Sequence, residues 1–180
     1  TFKISQTNTS NFDTTVDVKL NLGTASIEDI SKVEYTDANG NTVELTSAQI
    51  DSLIAGTFKV EIPKGSTGEP SFTFTATDDD IYESQEGFGL SISNAQNATL
   101  GTSSATAVIN DEDDNNPDTT DVKTDGDKPV VSIEAIDNLA VEGDVNNSTV
   151  AFKVSQSNES NSDTNVVVKL DLGTVEIADV

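Results

Sequence analysis

The sequence contains no cysteine, histidine, methionine or tryptophan, and all nine of its cations are lysines because arginine is absent as well. Without thiolates and imidazoles, the usual ligands of zinc, copper and iron sites are missing, as are the usual nucleophile and base of hydrolytic catalysis. Oxygen atoms remain as metal ligands, and these suit calcium. We therefore expect a protein that is not an enzyme.

Positive charge is scarce in this chain of 180 residues. Asp and Glu number 32 against nine Lys, which gives a formal net charge of -23. Nucleic-acid binding and membrane-surface binding both need basic patches, so we expect neither. No apolar run approaches the roughly 20 residues that span a bilayer, so membrane insertion is not expected. A divalent cation is the natural partner of such a surface.

The lack of cysteine leaves the cellular compartment open. It fits a reducing compartment, and it equally fits a secreted bacterial protein that is stabilised by metal instead of disulfides. Composition does not separate the two. No signal peptide opens the sequence, and we expect the chain to begin inside a larger protein.

The two ends of the sequence repeat each other. Residues 1–30 and 151–180 are identical at 18 of 30 positions without a gap, at an offset of 150 residues. Independent descent would not produce this agreement. The sequence therefore predicts a tandem array with a period of 150 residues, of which the chain holds one period and thirty residues more.

The least structured stretch is internal. Residues 111–128 read DEDDNNPDTTDVKTDGDK, which is acidic and almost free of apolar side chains. We interpret 115–128 as an interdomain linker, 1–114 as a domain that lacks its first strand, and 129–180 as the first strands of the next repeat. Pro129 suits the beginning of an edge strand because it has no N–H to donate.

Apolar and polar residues alternate in many short segments, of which residues 16–22 are an example. The pattern returns in the second copy at 131–133, 150–154 and 166–172. This period of two predicts β-strands. Turn residues at 37–41 and 63–68 predict hairpin loops between strands.

One segment departs from this period. Residues 46–56 have a possible N-cap at Thr46, apolar residues with helical spacing and Gly56 at the end, and so predict a short helix. The predicted fold is all-β, an antiparallel immunoglobulin-like β-sandwich with one short helical insertion. A β-helix solenoid would need a far shorter repeat period.

Carboxylates concentrate at 78–86 and 111–114, each next to the end of a predicted strand, with further acidic residues at Asp29 and Glu142. Calcium takes six to eight oxygens, more than any single short loop here supplies. Loops at one end of a sandwich can supply them jointly. The alternative is that these are solvated acidic loops that keep the protein soluble. The linker acids fit a calcium-stiffened hinge or a disordered spacer equally well.

Two runs carry a family resemblance: TDDDIYESQEGF at 77–88 and ATAVINDED at 105–113. They resemble the two signatures of the Calx-beta domain, the calcium-binding sandwich of sodium/calcium exchangers that is also found in bacterial surface proteins. Gly23-Thr24 ahead of Asp29 is similar to the family's turn with its following aspartate, and Glu142 is similar to its first-strand glutamate. The resemblance implies calcium ligands at Asp29, Asp78, Asp79, Glu83, Glu86, Asp111, Glu112 and Asp113, with Glu142 and Asp179 serving the next domain.

The first copy lacks the counterpart of Glu142. We therefore hypothesise that its site is completed either by residues 129–150, folding back as a strand against the sheet that contains residues 1–8, or by a neighbouring molecule through strand exchange.

The tandem copies, the absence of cysteine and the acidic composition resemble the long RTX-type adhesins that Gram-negative bacteria secrete by a type I system. The resemblance implies an extracellular, calcium-stabilised extender repeat that serves cell adhesion and biofilm formation, with adjacent repeats as partners. Alternatives are a calcium-sensing regulatory module, which would bind at about micromolar calcium or tighter, and a ligand-binding adhesin domain. A glycosidase with paired carboxylates would need an aromatic-lined cleft that this sequence does not indicate.

Overall fold

A computed structural model describes residues 1–79, 81–110, 128–142, 146 and 148–174. The contacts within the chain divide it into two units. The larger unit comprises residues 1–80 and 84–127, and the smaller one comprises residues 81–83 and 128–180. The predicted linker at 115–128 falls almost entirely outside the described residues, so the domain boundaries stay predictions.

The larger unit is an antiparallel β-sandwich. In chain order its elements are β1 Phe2–Lys3, β2 Thr14–Asn21, β3 Ile30–Thr36, β4 Thr42–Glu44, α1 Ser47–Ala55, β5 Phe58–Ile62, β6 Ser71–Ala76, β7 Glu86–Gln96 and β8 Ser104–Ile109. One sheet has the order β1-β6-β3-β4, and the other has the order β5-β2-β7-β8. The predicted all-β sandwich with one short helix is confirmed.

The core lies between the two sheets. Along β2, the residues that point inward at every second position are buried, and those between them are not. Val18 and Leu20 of this strand meet Phe72 of the opposite sheet in a core where each of the three is at most 1% exposed. Full burial of such a side chain contributes about 1.5–3 kcal/mol. The alternation in the sequence therefore predicts the inward face correctly.

The helix α1 begins and ends as the sequence predicts. The side-chain oxygen of Gln49 accepts hydrogen bonds from the backbone N–H of Thr46 at 3.0 Å and from its hydroxyl at 2.9 Å. Gly56 takes the left-handed conformation, with φ of 75°, immediately after the helix. Leu53 is fully buried and fixes the helix to the core.

One of the two predicted hairpin loops is correct. Residues 37–41 connect β3 to β4, which pair with each other. Residues 63–68 connect β5 to β6, but these strands lie in different sheets, so the prediction of a hairpin at 63–68 is wrong. Turn residues mark where the chain reverses, whereas strand pairing depends on which edges the rest of the sheet leaves available.

The smaller unit contains a two-stranded antiparallel sheet of β9, Val131–Asp137, and β10, Ala151–Gln156. Both strands were predicted from the sequence. Residues 166–172 are also predicted as a strand, but the structure places none there. Their counterpart in the first copy, β2, lies between β5 and β7. The counterparts of those two partners one period later lie outside the given sequence.

The hypothesis that residues 129–150 complete the first sandwich in cis is not supported by the strands that the structure describes. β9 pairs with β10 in a sheet of its own, and the sheet that contains β1 has only β6, β3 and β4 as its other described members. No helix in the described part of the chain has the length and apolar character needed to cross a membrane.

Candidate metal site at one end of the sandwich

The turn that follows β2 is fitted closely against the start of β7. Gly23 has a φ of 63°, and a Cβ atom there would lie 2.3 Å from the carbonyl oxygen of Gly87. The N–H of Thr24 donates to that same oxygen at 3.0 Å, and the N–H of Gly87 donates to the hydroxyl of Thr24 at 2.8 Å. Only glycine fits position 23, and the reciprocal hydrogen bonds fix the loop that follows.

Asp29 lies in that loop, one residue before β3. Its carboxylate accepts hydrogen bonds from the backbone N–H of Ser26 at 2.5 Å and from the hydroxyl of Ser26 at 3.1 Å. Its carbonyl oxygen accepts a hydrogen bond from the N–H of Thr77, just after β6, at 2.9 Å. The backbone and the side chain of Asp29 are thus both held in place.

Glu86, the first residue of β7, and Glu83 in the preceding loop bring two more carboxylates to Asp29. One carboxylate oxygen from each of the three residues lies within 4.8 Å of the other two, and all three side chains are half-buried. We call Asp29, Glu83 and Glu86 the acidic cluster. Asp29 and Glu86 stand at the beginnings of strands in opposite sheets, so they meet at one end of the sandwich.

Burial and hydrogen bonding act in opposite directions on Asp29. Burial raises its pKa, but hydrogen bonds from the Ser26 backbone, the Glu86 carboxyl group and the Ser26 hydroxyl outweigh this and hold the pKa below its ordinary value of 3.8. Two ionised carboxylates about 4 Å apart would repel by about 4 kcal/mol at an effective dielectric constant of 20. A proton or a cation shared between Asp29 and Glu86 removes that repulsion.

Of the eight ligands predicted for this site, the structure brings Asp29, Glu83 and Glu86 together, whereas Asp78 and Asp79 are exposed and lie outside the acidic cluster. Glu142, which is predicted to serve the next domain, is exposed. Four predicted ligands lie outside the described residues: Asp111, Glu112, Asp113 and Asp179.

The end of β8 lies beside the acidic cluster. Its last residue, Ile109, is the register partner of Glu86, and the side chain of Gln85 donates to that of Asn110 at 2.7 Å. The chain therefore leaves β8 at the end of the sandwich that carries Glu86, immediately before Asp111 in the sequence.

Sequence reasoning missed the residues that hold Asp29 in place. Ser26 could have been found, because a serine a few residues before an aspartate is typical of a local side-chain turn. Thr77 gave no local signal, since its hydroxyl bonds the carbonyl oxygen of Glu28, 49 residues away along the chain. Contacts between such distant residues become visible only once the strands are paired.

No family model matches this chain, and no curated protein matches it. Among solved structures, the chain is similar to a crystal structure of the calcium binding domain CBD12 of CALX1.1, with a TM-score of 0.40 and 20% sequence identity. The match covers 62% of this chain and 38% of that chain. A similarity of this size establishes neither the fold nor the function here, which depend on the residues described above.

Proposed function

We propose that this chain is a calcium-binding structural repeat, an extracellular extender module of a bacterial cell-surface adhesin whose sandwich is stabilised by calcium at the acidic cluster. The observation that carries the proposal is the convergence of three half-buried carboxylates at one end of the sandwich. Asp29 comes from the loop before β3, and Glu83 and Glu86 come from the start of β7 and the loop before it, more than fifty residues later in the sequence.

Calcium is the cation that this donor set favours. Carboxylate oxygens are hard ligands, and calcium accepts them in irregular arrangements of six to eight. The three residues supply between three and six oxygens, according to whether each binds through one oxygen or two. Asp111, Glu112 and Asp113 follow β8 in the sequence, and the last residue of β8 is the register partner of Glu86. We propose that these three residues contribute further ligands, together with water.

The extender role is supported by the repeat and by the charge. Similar units joined end to end make a long chain, and the net charge of -23 over the 180 residues favours solubility. Extracellular modules bind calcium with Kd of about 10⁻⁴ to 10⁻³ M, so they are loaded outside the cell and empty in calcium-poor cytoplasm. Calcium binding then stabilises the folded state where the module works.

The first test is thermal unfolding in calcium and in chelator. Calcium at a hundredfold excess over Kd stabilises a site by about 2.7 kcal/mol, which raises the Tm of a domain of this size by roughly 10 °C or more. We expect this gain in the wild-type chain and in Asp51→Asn, which removes a carboxylate from the exposed side of α1. We expect most of the gain to be lost in Asp29→Asn.

The result can contradict the proposal in two ways. Equal calcium responses in Asp29→Asn and Asp51→Asn would show that the acidic cluster does not hold the ion. Half-saturation at about micromolar calcium or tighter would favour a calcium sensor over an extender.

A further inference from the structure

The loop that carries Asp29 also carries Glu28, an acidic residue that is not among the ligands predicted from the sequence. The Oε2 atom of Glu28 lies 3.2 Å from the hydroxyl oxygen of Ser26. That hydroxyl oxygen lies 3.1 Å from the Oδ1 atom of Asp29. The carboxylates of Glu28 and Asp29 are therefore neighbours, with a single hydroxyl group between them.

The backbone of Glu28 is held at both of its polar groups. Its N–H donates to the hydroxyl oxygen of Ser26 at 3.1 Å, and its carbonyl oxygen accepts a hydrogen bond from the hydroxyl of Thr77. The side chain of Glu28 is exposed, so it can change rotamer without disturbing the core. The loop thus anchors a movable carboxylate next to Asp29.

The hydroxyl of Ser26 cannot compensate both carboxylates. A hydroxyl group has one proton, so it donates to one acceptor at a time. Two neighbouring carboxylates disfavour each other's ionised form, and a cation close to both removes that cost. Glu28 therefore adds to the negative charge that a cation at Asp29 would neutralise.

The second copy keeps a carboxylate in this loop but has it at a different position. Residues 23–30 read GTASIEDI, and residues 173–180 read GTVEIADV. Glu176 stands at the position of Ser26, and Ala178 stands at the position of Glu28. The side chains of Ser26 and Glu28 are in contact in the first copy, so the two positions are neighbours in space. The paired substitutions therefore preserve a carboxylate beside the aspartate.

We propose that Glu28 is a further carboxylate of the calcium site at the acidic cluster, and that Glu176 has this role in the second copy. The proposal rests on the proposed function of the cluster. The three carboxylates of the cluster supply at most six oxygens, whereas calcium takes six to eight. The carboxylate of Glu28 offers a further oxygen, and its charge attracts the ion.

Relocation of the carboxylate tests the proposal in the full chain. The Kd for calcium is measured at fixed ionic strength from the backbone amide shifts of residues 83–87, which lie outside the substituted loop. We expect Glu28→Ala to bind calcium about three- to tenfold more weakly than wild type. Ser26→Glu combined with Glu28→Ala, which introduces the residues of the second copy, should bind within about twofold of wild type.

Two control variants separate the carboxylate from other effects. Ser26→Ala combined with Glu28→Ala removes the serine hydroxyl without supplying a carboxylate, and it should bind at least as weakly as Glu28→Ala. Asp51→Asn removes one negative charge from α1 and should keep the wild-type Kd. The Tm of Glu28→Ala in chelator should not fall below that of wild type, because the substitution relieves repulsion between carboxylates.

Three results would overturn the proposal while leaving calcium binding at the acidic cluster intact. They are equal affinities of wild type and Glu28→Ala, equal affinities of the two double variants, and a lower Tm of Glu28→Ala in chelator, which would assign Glu28 a structural role. Absence of saturable calcium-dependent shifts in the wild-type chain would overturn the proposed function as well.

Discussion

The carboxylate of Asp37 organises the hairpin between β3 and β4. It accepts hydrogen bonds from the backbone N–H of Asn39 at 2.8 Å, from that of Asn41 at 2.9 Å and from the side chain of Asn41 at 2.9 Å. These bonds, with the side chain of Asn41 as the largest contributor, lower the pKa of Asp37 below its ordinary value of 3.8. The ionised form is therefore favoured in the folded state.

This shift predicts a pH dependence of stability. A lowered folded pKa means that the stabilisation by Asp37 is fully present above the unfolded value, which is about 3.9, and is lost as the pH falls through the folded value. We expect the urea midpoint of the wild-type chain, measured in chelator, to fall more steeply below about pH 4 than that of Asp37→Asn. Asp51→Asn should keep the wild-type slope, and equal slopes for all three proteins would refute the role given to Asp37.

The turn after β2 decides whether the acidic cluster can form. In Gly23→Ala, the left-handed conformation and the clash with the Gly87 carbonyl oxygen both oppose the native turn. We expect a loss of about 1–3 kcal/mol in the free energy of unfolding and a smaller calcium-dependent rise in Tm.

Gly40→Ala is the matched control for Gly23→Ala. Gly40 also has a positive φ, of 86°, but a Cβ atom there would meet nothing within 4 Å. Gly40→Ala should lower the free energy of unfolding by only about 1 kcal/mol, the cost of placing alanine at a positive φ, and should leave the calcium response unchanged. Equal effects of the two substitutions on stability and on the calcium response would mean that contact with β7 is not what fixes the turn.

The sequence predicts single elements well and their partners less well. Alternation predicted β2 and its inward face, and capping residues predicted both ends of α1, because these signals lie within a few neighbouring residues. The hairpin at 63–68 and the strand at 166–172 were wrong because each depends on which strands lie alongside. Short-range patterns carry no information about those neighbours.

The same distinction applies to the site. The turn residues Gly23-Thr24 identified the following Asp29 as a candidate calcium ligand. The acidic run at 77–88 identified the segment that carries Glu83 and Glu86. Composition could not show that these two glutamates join the acidic cluster whereas Asp78 and Asp79 do not. The difference lies in which side chains turn towards Asp29, and that is set by the pairing of β7 with its neighbours rather than by the acidic run itself.

The repeat makes a prediction for a longer molecule. Residues 164–171 correspond to the central strand β2, but in this chain they are not in strand conformation, and Val166, Val168 and Leu170 are exposed. A chain of two full periods supplies the counterparts of β5 and β7. We expect the amides of 164–171 to become protected from hydrogen exchange in that chain, to the level of β2. Continued rapid exchange there, with β2 protected in the same molecule, would show that the second copy does not fold as the first does.

A calcium titration followed by backbone amide shifts tests the central claim most directly. If the acidic cluster holds the ion, the amides of residues 26–29 and 83–87 move together as calcium is added and saturate with one Kd, of about 10⁻⁴ to 10⁻³ M. The same residues should stay unmoved in Asp29→Asn. Shifts confined to other acidic residues, or identical titrations of the wild-type and Asp29→Asn chains, would contradict a calcium site at Asp29, Glu83 and Glu86.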